Sequence, residues 1–263
     1  MKHLPPFAVK WLTAACFVAF ASAAIAVEAP AAPKATPAAA PAVHPDPTVA
    51  APKAGNARFF QLHESFRKRG KEGPIGVLFL GDSITEGWGK ASDVWKKYYG
   101  ELQPANFGIG GDRVEHVLWR IEQGELDGTK PKVVVLMIGT NNTGVNTGPE
   151  IAAGVRKVVS QIRAKLPETK VLLLAVFPRG PRPNAAANAV DDSAQRMEKI
   201  HAINKDIAKL DDGKTVRFLN INERFLVNGA IPMDVMPDQL HPNVKGYEIW
   251  AEAMQPLLTE MLK

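Results

Sequence analysis

The sequence predicts an α/β domain in which a parallel β-sheet lies between two layers of helices, a three-layer α/β/α sandwich. Apolar runs at 75–80, 133–138 and 171–177 are continuous and do not alternate with polar residues, which is typical of strands buried on both faces. Segments with helical periodicity separate these runs, as the crossover helices of a parallel sheet do. Such sheets bind ligands beyond the carboxyl ends of their strands, so we expect the functional residues directly after the strands.

The first half of the domain is predicted to contain three helices and two strands. Residues 56–71 have the pattern of an amphipathic helix, and the apolar run 75–80 stops at a glycine, as a buried strand does before a turn. The helix at 91–102 has apolar residues four apart on one face, namely Val94, Tyr98 and Leu102. A short strand at 105–107 precedes a helix at 112–123, which Asp112 should cap and whose apolar face contains Val114, Val117, Leu118 and Ile121.

The second half continues the alternation of strands and helices. The strand at 133–138 is followed by a helix at 149–166, which opens with a proline, a residue that the first helical turn tolerates. After the strand at 171–177, the chain is predicted to end with a helix at 189–210, a strand at 215–219 and a helix at 243–262. No internal repeat interrupts this order.

Composition limits the function classes. A chain of 263 residues suits one domain with appendages, and 46% apolar residues suffice for one core. The single cysteine, Cys16, excludes an intramolecular disulfide framework and a thiolate metal cluster. The net charge of +5 is small and spread along the chain, whereas nucleic-acid-binding proteins have a concentrated basic surface. We therefore expect no nucleic-acid partner.

Residues 1–26 are predicted to be a signal peptide. Lys2 and Lys10 give a positive start, an apolar stretch at 11–20 follows, and residues 24–26 form a small-x-small cleavage site. The apolar stretch is shorter than the roughly 20 residues that a membrane span needs. We expect a secreted or periplasmic protein, with membrane association only if the leader is retained or Cys16 is lipidated.

Residues 27–54 are rich in alanine and proline, and this composition predicts a linker that cannot bury enough apolar surface to fold. The linker is expected to be removable without loss of function. Residues 55–263 then form the folded domain.

A serine follows the first long strand, in the segment Gly81-Asp82-Ser83. The glycine allows a sharp turn, and a serine at a strand-to-helix turn is exposed near helix amides that favour negative charge. Alone, this pattern also fits a serine that only caps a helix.

Two further polar segments follow strands. The segment 108–112, GIGGD, has glycines that let backbone amides face a ligand, but its spacing is neither that of a dinucleotide fingerprint nor that of a phosphate loop. The segment 139–142, GTNN, supplies side-chain amides that could donate hydrogen bonds to an oxyanion, or that form an ordinary Asx turn.

Asp238 lies three residues before His241, in a loop ahead of the last helix. This spacing allows the carboxylate to bind imidazole Nδ1 and leaves Nε2 for a serine hydroxyl. The histidines at 63, 116 and 201 lie in predicted helices and are expected at the surface or rim. No metal motif such as H-E-x-x-H occurs, so we expect no metal site.

GDSIT, NFGIGGD, GTNN and DQLH occur in the order and approximate spacing of the four signature blocks of the SGNH (GDSL-type) hydrolases, and the chain resembles that family. The runs NFGIGGDRVEHVLWRIEQGEL, PKVVVLMIGTNN and FPRGPRPN are similar to the branch that contains the platelet-activating factor acetylhydrolase catalytic subunits and bacterial esterases. The resemblance covers residues 72–263 and implies a flavodoxin-like sheet. Many members have Asp where this chain has Asn142.

The resemblance implies a serine carboxylic ester hydrolase that needs no metal or organic cofactor. Ser83 would attack the ester carbonyl, His241 would take its proton, and Asp238 would orient the imidazole. The oxyanion hole would consist of the backbone N–H groups of Ser83 and Gly111 and the side-chain amide of Asn141.

The resemblance also implies a small acyl pocket and a preference for acetyl groups. Its predicted walls are Ile84, Thr140 and Leu240, each next to a catalytic residue in the chain. The alternative is that Ile84 and Leu240 point into the core, as apolar residues usually do.

The alternatives on the same site are a lipase or lysophospholipase activity and a carbohydrate O-acetyltransferase. A non-catalytic binding module is a further alternative, against which the complete set of catalytic residues argues. The predicted partner is a small-molecule, glycan or lipid ester substrate, and the sequence does not decide between a monomer and a homodimer.

Overall fold

The computed structural model describes residues 44–183 and 190–263. Within these ranges its centre is one sheet of five parallel strands in the order β2-β1-β3-β4-β5. The strands are β1 (Val77–Gly81), β2 (Pro104–Gly108), β3 (Val133–Met137), β4 (Lys170–Leu174) and β5 (Val216–Leu219). The predicted parallel α/β sandwich is therefore confirmed, and the strand order is that of a flavodoxin-like sheet.

Helices cover both faces of this sheet. They are α1 (Ala57–Arg69), α2 (Ser83–Glu86), α3 (Ser92–Tyr99), α4 (Val114–Glu122), α5 (Gly148–Lys165), α6 (Ser193–Ile207) and α7 (Val244–Leu262). Alternate strand residues point to opposite faces, so the sheet divides the interior into two cores. In β1, for example, Leu78 and Leu80 pack with α4, α5 and α6, whereas Val77 and Phe79 pack with α3 and α7. Among the described helices, none is both long and apolar enough to cross a membrane.

The carboxyl ends of the three central strands meet at one edge. The strand register sets Gly81 beside Gly108 on one side and beside Met137 on the other. The chain segments that leave these strands carry the predicted serine, the glycine-rich loop and the GTNN segment. The fold therefore brings together three segments that are far apart in the sequence.

Two local predictions need correction. The N-cap of α4 is Arg113, not Asp112. Asp112 is fully buried, and its carboxylate pairs with Arg120 and Lys53. The predicted helix at 189–210 begins at Ser193, and its first predicted residue lies outside the described residues.

The segment 44–54 packs on the domain, whereas the sequence predicts a linker there. Pro47 is buried, and Ala50 packs against the core. The side-chain amide of Asn146 donates to Pro45 O at 2.9 Å, and Ala51 N donates to Glu115 O at 3.1 Å. These contacts to the folded body order the segment despite its composition. The predicted signal peptide and the rest of the predicted linker lie outside the described residues.

Candidate active site

Ser83 is the first residue of α2 and directly follows the turn at the end of β1. Asp82 is the N-cap of this helix, and its carboxylate accepts a hydrogen bond from Ile84 N at 2.9 Å. The turn requires a glycine at position 81, because a Cβ there would lie 2.2 Å from Thr85 Oγ1 and 2.4 Å from the Met137 carbonyl oxygen. The backbone of the strand and helix therefore fixes the position of the Ser83 hydroxyl.

The structure brings the three residues of the predicted triad together. Ser83 Oγ lies 2.9 Å from His241 Nε2, and His241 Nδ1 lies 2.7 Å from Asp238 Oδ2. The other carboxylate oxygen of Asp238 accepts the His241 backbone N–H at 2.7 Å. Both distances of the imidazole are those of good hydrogen bonds, and each ring nitrogen faces the partner that the sequence predicts.

Asp238 is held in its ionised form. Partial burial opposes ionisation, but hydrogen bonds from the backbone and side chain of His241 outweigh it and lower the pKa of the Asp238 carboxyl. An ionised Asp238 can hold Nδ1 in its protonated tautomer, which leaves the Nε2 lone pair for the serine proton.

The predicted oxyanion donors lie on the segments that follow β2 and β3, and the ends of these strands flank the end of β1, which precedes Ser83. Gly111 adopts a left-handed conformation (φ +72°), which glycine allows at little cost. Asn141 Nδ2 donates a hydrogen bond to the Asp112 carbonyl oxygen at 2.8 Å and a longer one to Asp82 Oδ2 at 3.5 Å, and these two contacts fix the orientation of its amide. Among the described residues, no acceptor lies against the backbone N–H of Ser83 or of Gly111. Both N–H groups are thus available to an oxyanion.

Fully buried charges lie behind the glycine-rich loop. Arg120 Nη1 is 2.7 Å from Asp112 Oδ2, and Arg120 Nη2 is 2.6 Å from Glu125 Oε1. His63 Nδ1 lies 2.9 Å from Glu125 Oε2 at the far end of this network. Arg120 and both carboxylates are inaccessible to solvent, so the loop rests on a dry ionic network in which every charge has an opposite partner.

Asp82 is a second buried carboxyl, next to the nucleophile in the chain. Burial raises its pKa to about 7, and the charge of Asp112 adds to this effect. Near neutral pH, Asp82 is therefore a mixture of its protonated and ionised forms. Burial also raises the pKa of Asp112, although Arg120 and Lys53 act in the opposite direction.

The predicted acyl pocket is only partly open. Ile84 and Thr140 are almost fully buried, and Ile84 packs in the core between the sheet and α7. Leu240 lines a cavity of about 370 Å³ together with Asn141 and Arg179. A second cavity, of about 640 Å³, lies beside Ser83 and His241. The wall of three residues therefore stays a prediction. Of its members, Leu240 lines an open cavity.

Two histidines that were expected at the surface are buried instead. His63 packs under α4 and contacts Glu125, and His116 is 5% exposed. Burial lowers the pKa of His116 to about 3, and its Nδ1 accepts the Arg113 backbone N–H at 3.0 Å. The neutral ring thus accepts a hydrogen bond from the N-cap residue of α4 and stabilises the start of this helix. The described residues contain no group of three or more metal-binding side chains.

The departure at Asn142 has a structural explanation. Its Oδ1 accepts Val114 N at 2.9 Å, and its Nδ2 donates to Glu115 Oε2 at 2.9 Å. Asn142 is fully buried and joins the start of α4 to the end of β3. It lies next to the oxyanion donor Asn141 without replacing it.

Sequence reasoning did not identify two polar residues near the glycine-rich loop. Glu86 accepts the Gly110 backbone N–H at 2.7 Å, and Lys53 binds the Gly110 carbonyl oxygen at 2.8 Å. Glu86 directly follows the GDSIT block, so the sequence carried a weak indication that Glu86 lies near the site. Lys53 lies in the alanine- and proline-rich segment, where no local pattern marks it.

Known proteins resemble this chain in sequence and in fold. The profile of the GDSL-like lipase/acylhydrolase family matches residues 79–249. Platelet-activating factor acetylhydrolase IB subunit alpha1 of Bos taurus is 33% identical over 210 residues, which cover 79% of this chain and 85% of the relative.

Solved structures agree on the fold. A GDSL-like lipase from Bacteroides thetaiotaomicron superposes with a TM-score of 0.60 at 20% identity, over 77% of this chain and 97% of that one. A carbohydrate acetylesterase family member from Sinorhizobium meliloti gives a TM-score of 0.55 at 16% identity, over 72% and 99% of the two chains.

The matched region includes strands β2 to β5, the end of β1, the predicted nucleophile and the final loop, and it covers more than half of the chain. The similarity to the curated relative extends over most of both sequences. The chain belongs to the GDSL-like lipase/acylhydrolase family, whose members are carboxylic ester hydrolases.

Proposed function

We propose that this protein is a secreted or periplasmic serine esterase that hydrolyses short-chain carboxylic esters, acetyl esters foremost, through an acyl-enzyme. The observation that carries the proposal is the hydrogen-bonded chain from Asp238 through His241 to Ser83 Oγ, with separations of 2.7 and 2.9 Å. Beside it lie two backbone N–H groups that have no acceptor among the described residues, those of Ser83 and Gly111.

In the acylation step, Ser83 Oγ forms a bond to the ester carbonyl carbon while its proton passes to His241 Nε2. The electron pair of the carbonyl π bond moves to the oxygen. This oxyanion accepts hydrogen bonds from the N–H groups of Ser83 and Gly111 and from the Asn141 amide, each of which stabilises the transition state by about 3–4 kcal/mol. Asp238 stabilises the imidazolium that forms.

The tetrahedral intermediate collapses by breaking the bond to the alcohol oxygen. The leaving alcohol takes the proton from His241 Nε2, and the acyl group remains on Ser83. Water then attacks the acyl-enzyme with His241 again as base, and the acid product leaves with Ser83 Oγ reprotonated. His241 returns each proton that it takes up. No step changes an oxidation state, so the cycle needs no oxidant or reductant.

A preference for acetyl groups is supported by three observations. The curated relative is named as an acetylhydrolase, and one structural neighbour is a carbohydrate acetylesterase family member. Within this chain, Leu240 lines the cavity that also borders Asn141, where a bulky side chain limits the length of an acyl group. One methylene of misfit costs about 1–3 kcal/mol, so discrimination should be graded.

The test is the hydrolysis of p-nitrophenyl acetate, butyrate and octanoate by the wild type and by Leu240→Ala. We expect kcat/KM to fall steadily with chain length, and we expect Leu240→Ala to flatten that slope by favouring the longer chains. Ser83→Ala is the control for background hydrolysis. Faster turnover of the octanoyl ester than of the acetyl ester by the wild type would refute the acetyl preference and leave the serine mechanism intact.

Export is supported by the charged start, the apolar stretch and the small-x-small site of residues 1–26, which lie outside the described residues. The mature protein should begin near Val27. Mass spectrometry of the exported protein tests this, and an intact Met1 or a lipid on Cys16 would contradict it.

A further inference from the structure

The segment 44–54, called the strap below, runs from α5 to the glycine-rich loop. Thr48 O accepts a hydrogen bond from Lys157 Nζ at 2.7 Å, and Pro47 fits closely over Gly154, where a Cβ would lie 2.5 Å from the proline carbonyl oxygen. Ala51 N donates to Glu115 O at the start of α4. These contacts place the strap beside the glycine-rich loop, where Lys53 contacts Gly110 and Asp112.

Lys53 binds two groups of the glycine-rich loop. Its Nζ donates to the Gly110 carbonyl oxygen at 2.8 Å and lies 2.8 Å from Asp112 Oδ1. The lysine side chain is 16% exposed, so these interactions are largely shielded from water. The same Asp112 oxygen has no hydrogen-bond partner among the described residues, so its contact with Lys53 is an ion pair. Lys53 is therefore the cation that compensates this side of the carboxylate.

The Gly110 carbonyl and the Gly111 N–H belong to one peptide unit. In a trans peptide the two groups point in opposite directions, so a cation on the carbonyl fixes the direction of the N–H. A hydrogen bond to the carbonyl also polarises the peptide and makes its N–H a stronger donor. Glu86 binds the Gly110 N–H at 2.7 Å, which holds the preceding peptide unit as well.

The third donor is linked to Lys53 through Asp112. The Asn141 amide donates to the Asp112 carbonyl oxygen at 2.8 Å, and Asp112 is held at its two carboxylate oxygens by Lys53 and Arg120. A shift of Asp112 would therefore also turn the Asn141 amide.

We propose that Lys53 is a positioning residue of the oxyanion hole, supplied by the strap, which aligns the Gly111 N–H through the Gly110 carbonyl and the Asn141 amide through Asp112. The proposal rests on the proposed ester hydrolysis at Ser83. Lys53 itself contacts no reacting atom. Its effect belongs to the transition state, because the oxyanion donors act on charge that develops there.

The experiment uses the full chain with Lys53→Met and an acetyl ester as substrate. Removing one oxyanion donor outright costs about 10²–10³ in kcat, and misaligning donors should cost less, so we expect a loss of roughly 10–100-fold in kcat with KM almost unchanged. The matched control is Lys157→Met, which removes the other lysine contact of the strap far from the loop. This control should keep the wild-type kcat.

Lys53→Arg separates alignment from folding. It keeps a cation against Asp112, and it should recover part of the activity that Lys53→Met loses. All variants are assayed well below their melting temperatures. A wild-type kcat in Lys53→Met, a loss that appears only in KM, or an equal loss in Lys157→Met would overturn the proposal.

A second readout is independent of turnover. A trifluoromethyl ketone forms a hemiketal with the serine whose oxyanion occupies the hole, so its Kd should rise in Lys53→Met by the same factor as kcat/KM falls. Unchanged ketone affinity in this variant would contradict the positioning role. If the wild type neither hydrolyses esters nor binds the ketone, it is the proposed function that fails, which is a different outcome.

Discussion

The two halves of the candidate site are built differently. Asp238 and His241 lie on a loop ahead of α7, and their side chains are 31% and 35% exposed. The glycine-rich loop on the other side of Ser83 rests on Asp112 and Arg120, whose side chains are inaccessible to solvent. The first half is thus held by short hydrogen bonds within one turn, and the second by ion pairs in the interior.

The difference follows from what each half must do. In the proposed mechanism, the acid–base half exchanges protons with substrate and water, so it has to stay accessible. The oxyanion half acts through dipoles that must not reorganise when charge develops, and burial of its supports prevents that motion. Chemistry and stability are therefore separable in the first half and coupled in the second.

The largest expected effect is on activity in the acid–base half. Ser83→Ala and His241→Ala should each lower kcat by about 10⁴–10⁶, and the double variant should be little worse, because the residues act as one unit. Melting temperatures should stay close to that of the wild type, since His241 is partly exposed. Losses that multiply in the double variant would show that the two residues act independently.

The second effect is on stability in the oxyanion half. Arg120→Met removes a buried cation from two carboxylates and should lower the free energy of unfolding by about 3–5 kcal/mol in urea titrations. The matched control is Arg182→Met, since Arg182 lies 3.2 Å from Asp238 at an exposed position. There we expect about 1 kcal/mol or less. Equal losses in the two variants would remove the distinction between the halves.

The third prediction concerns the strap. Deleting residues 27–43 should leave activity unchanged, because every contact described for the strap begins at Pro45 or later. Deleting residues 27–54 also removes Lys53, and kcat should fall by at least about tenfold. The contacts of residues 45–54 thus argue against the expectation that the whole segment 27–54 is removable. Similar kcat values for the two deletions would restore that expectation.

The smallest effect is the pH dependence of stability at Asp82. The folded pKa of about 7 lies above the ordinary aspartate pKa of 3.8, so folding favours the protonated carboxyl, and this contribution to stability is lost as pH rises through about 7. Asp82→Asn keeps an acceptor for the Ile84 N–H and has no charge to bury. Between about pH 5 and about pH 8 the wild type should lose stability that Asp82→Asn keeps. The melting temperature of the variant should therefore rise relative to that of the wild type over this range. A difference that does not change with pH would contradict a buried, titrating Asp82.

The sheet and the site were predictable for a common reason. Continuous apolar runs mark buried parallel strands, and polar residues that directly follow such strands meet at one edge. Gly81, Gly108 and Met137 are adjacent in the register, so the segments after them had to converge. The position of His241 against Ser83 required the fourth motif, because no strand precedes it directly.

The supports of the oxyanion half could not be predicted in the same way. Arg120 lies in an amphipathic helix, where an arginine is normally solvated. Its partners Asp112 and Glu125 are close to it in the sequence, but its burial depends on the packing of α4 on the sheet, where it also donates to the Phe107 carbonyl oxygen in β2. Lys53 lies in a composition that is typical of linkers. In both cases the burial of a charge is a tertiary property, and local composition carries no signal for it.

The central claim is that Ser83 is the nucleophile, activated by His241 and facing the oxyanion donors. Treatment of the full chain with a fluorophosphonate, followed by peptide mass spectrometry, tests it directly. The account predicts one adduct on the peptide that contains Ser83, loss of ester hydrolysis in proportion to labelling, and far slower labelling of His241→Ala. An adduct on another residue, or full hydrolysis by a completely labelled protein, would contradict it.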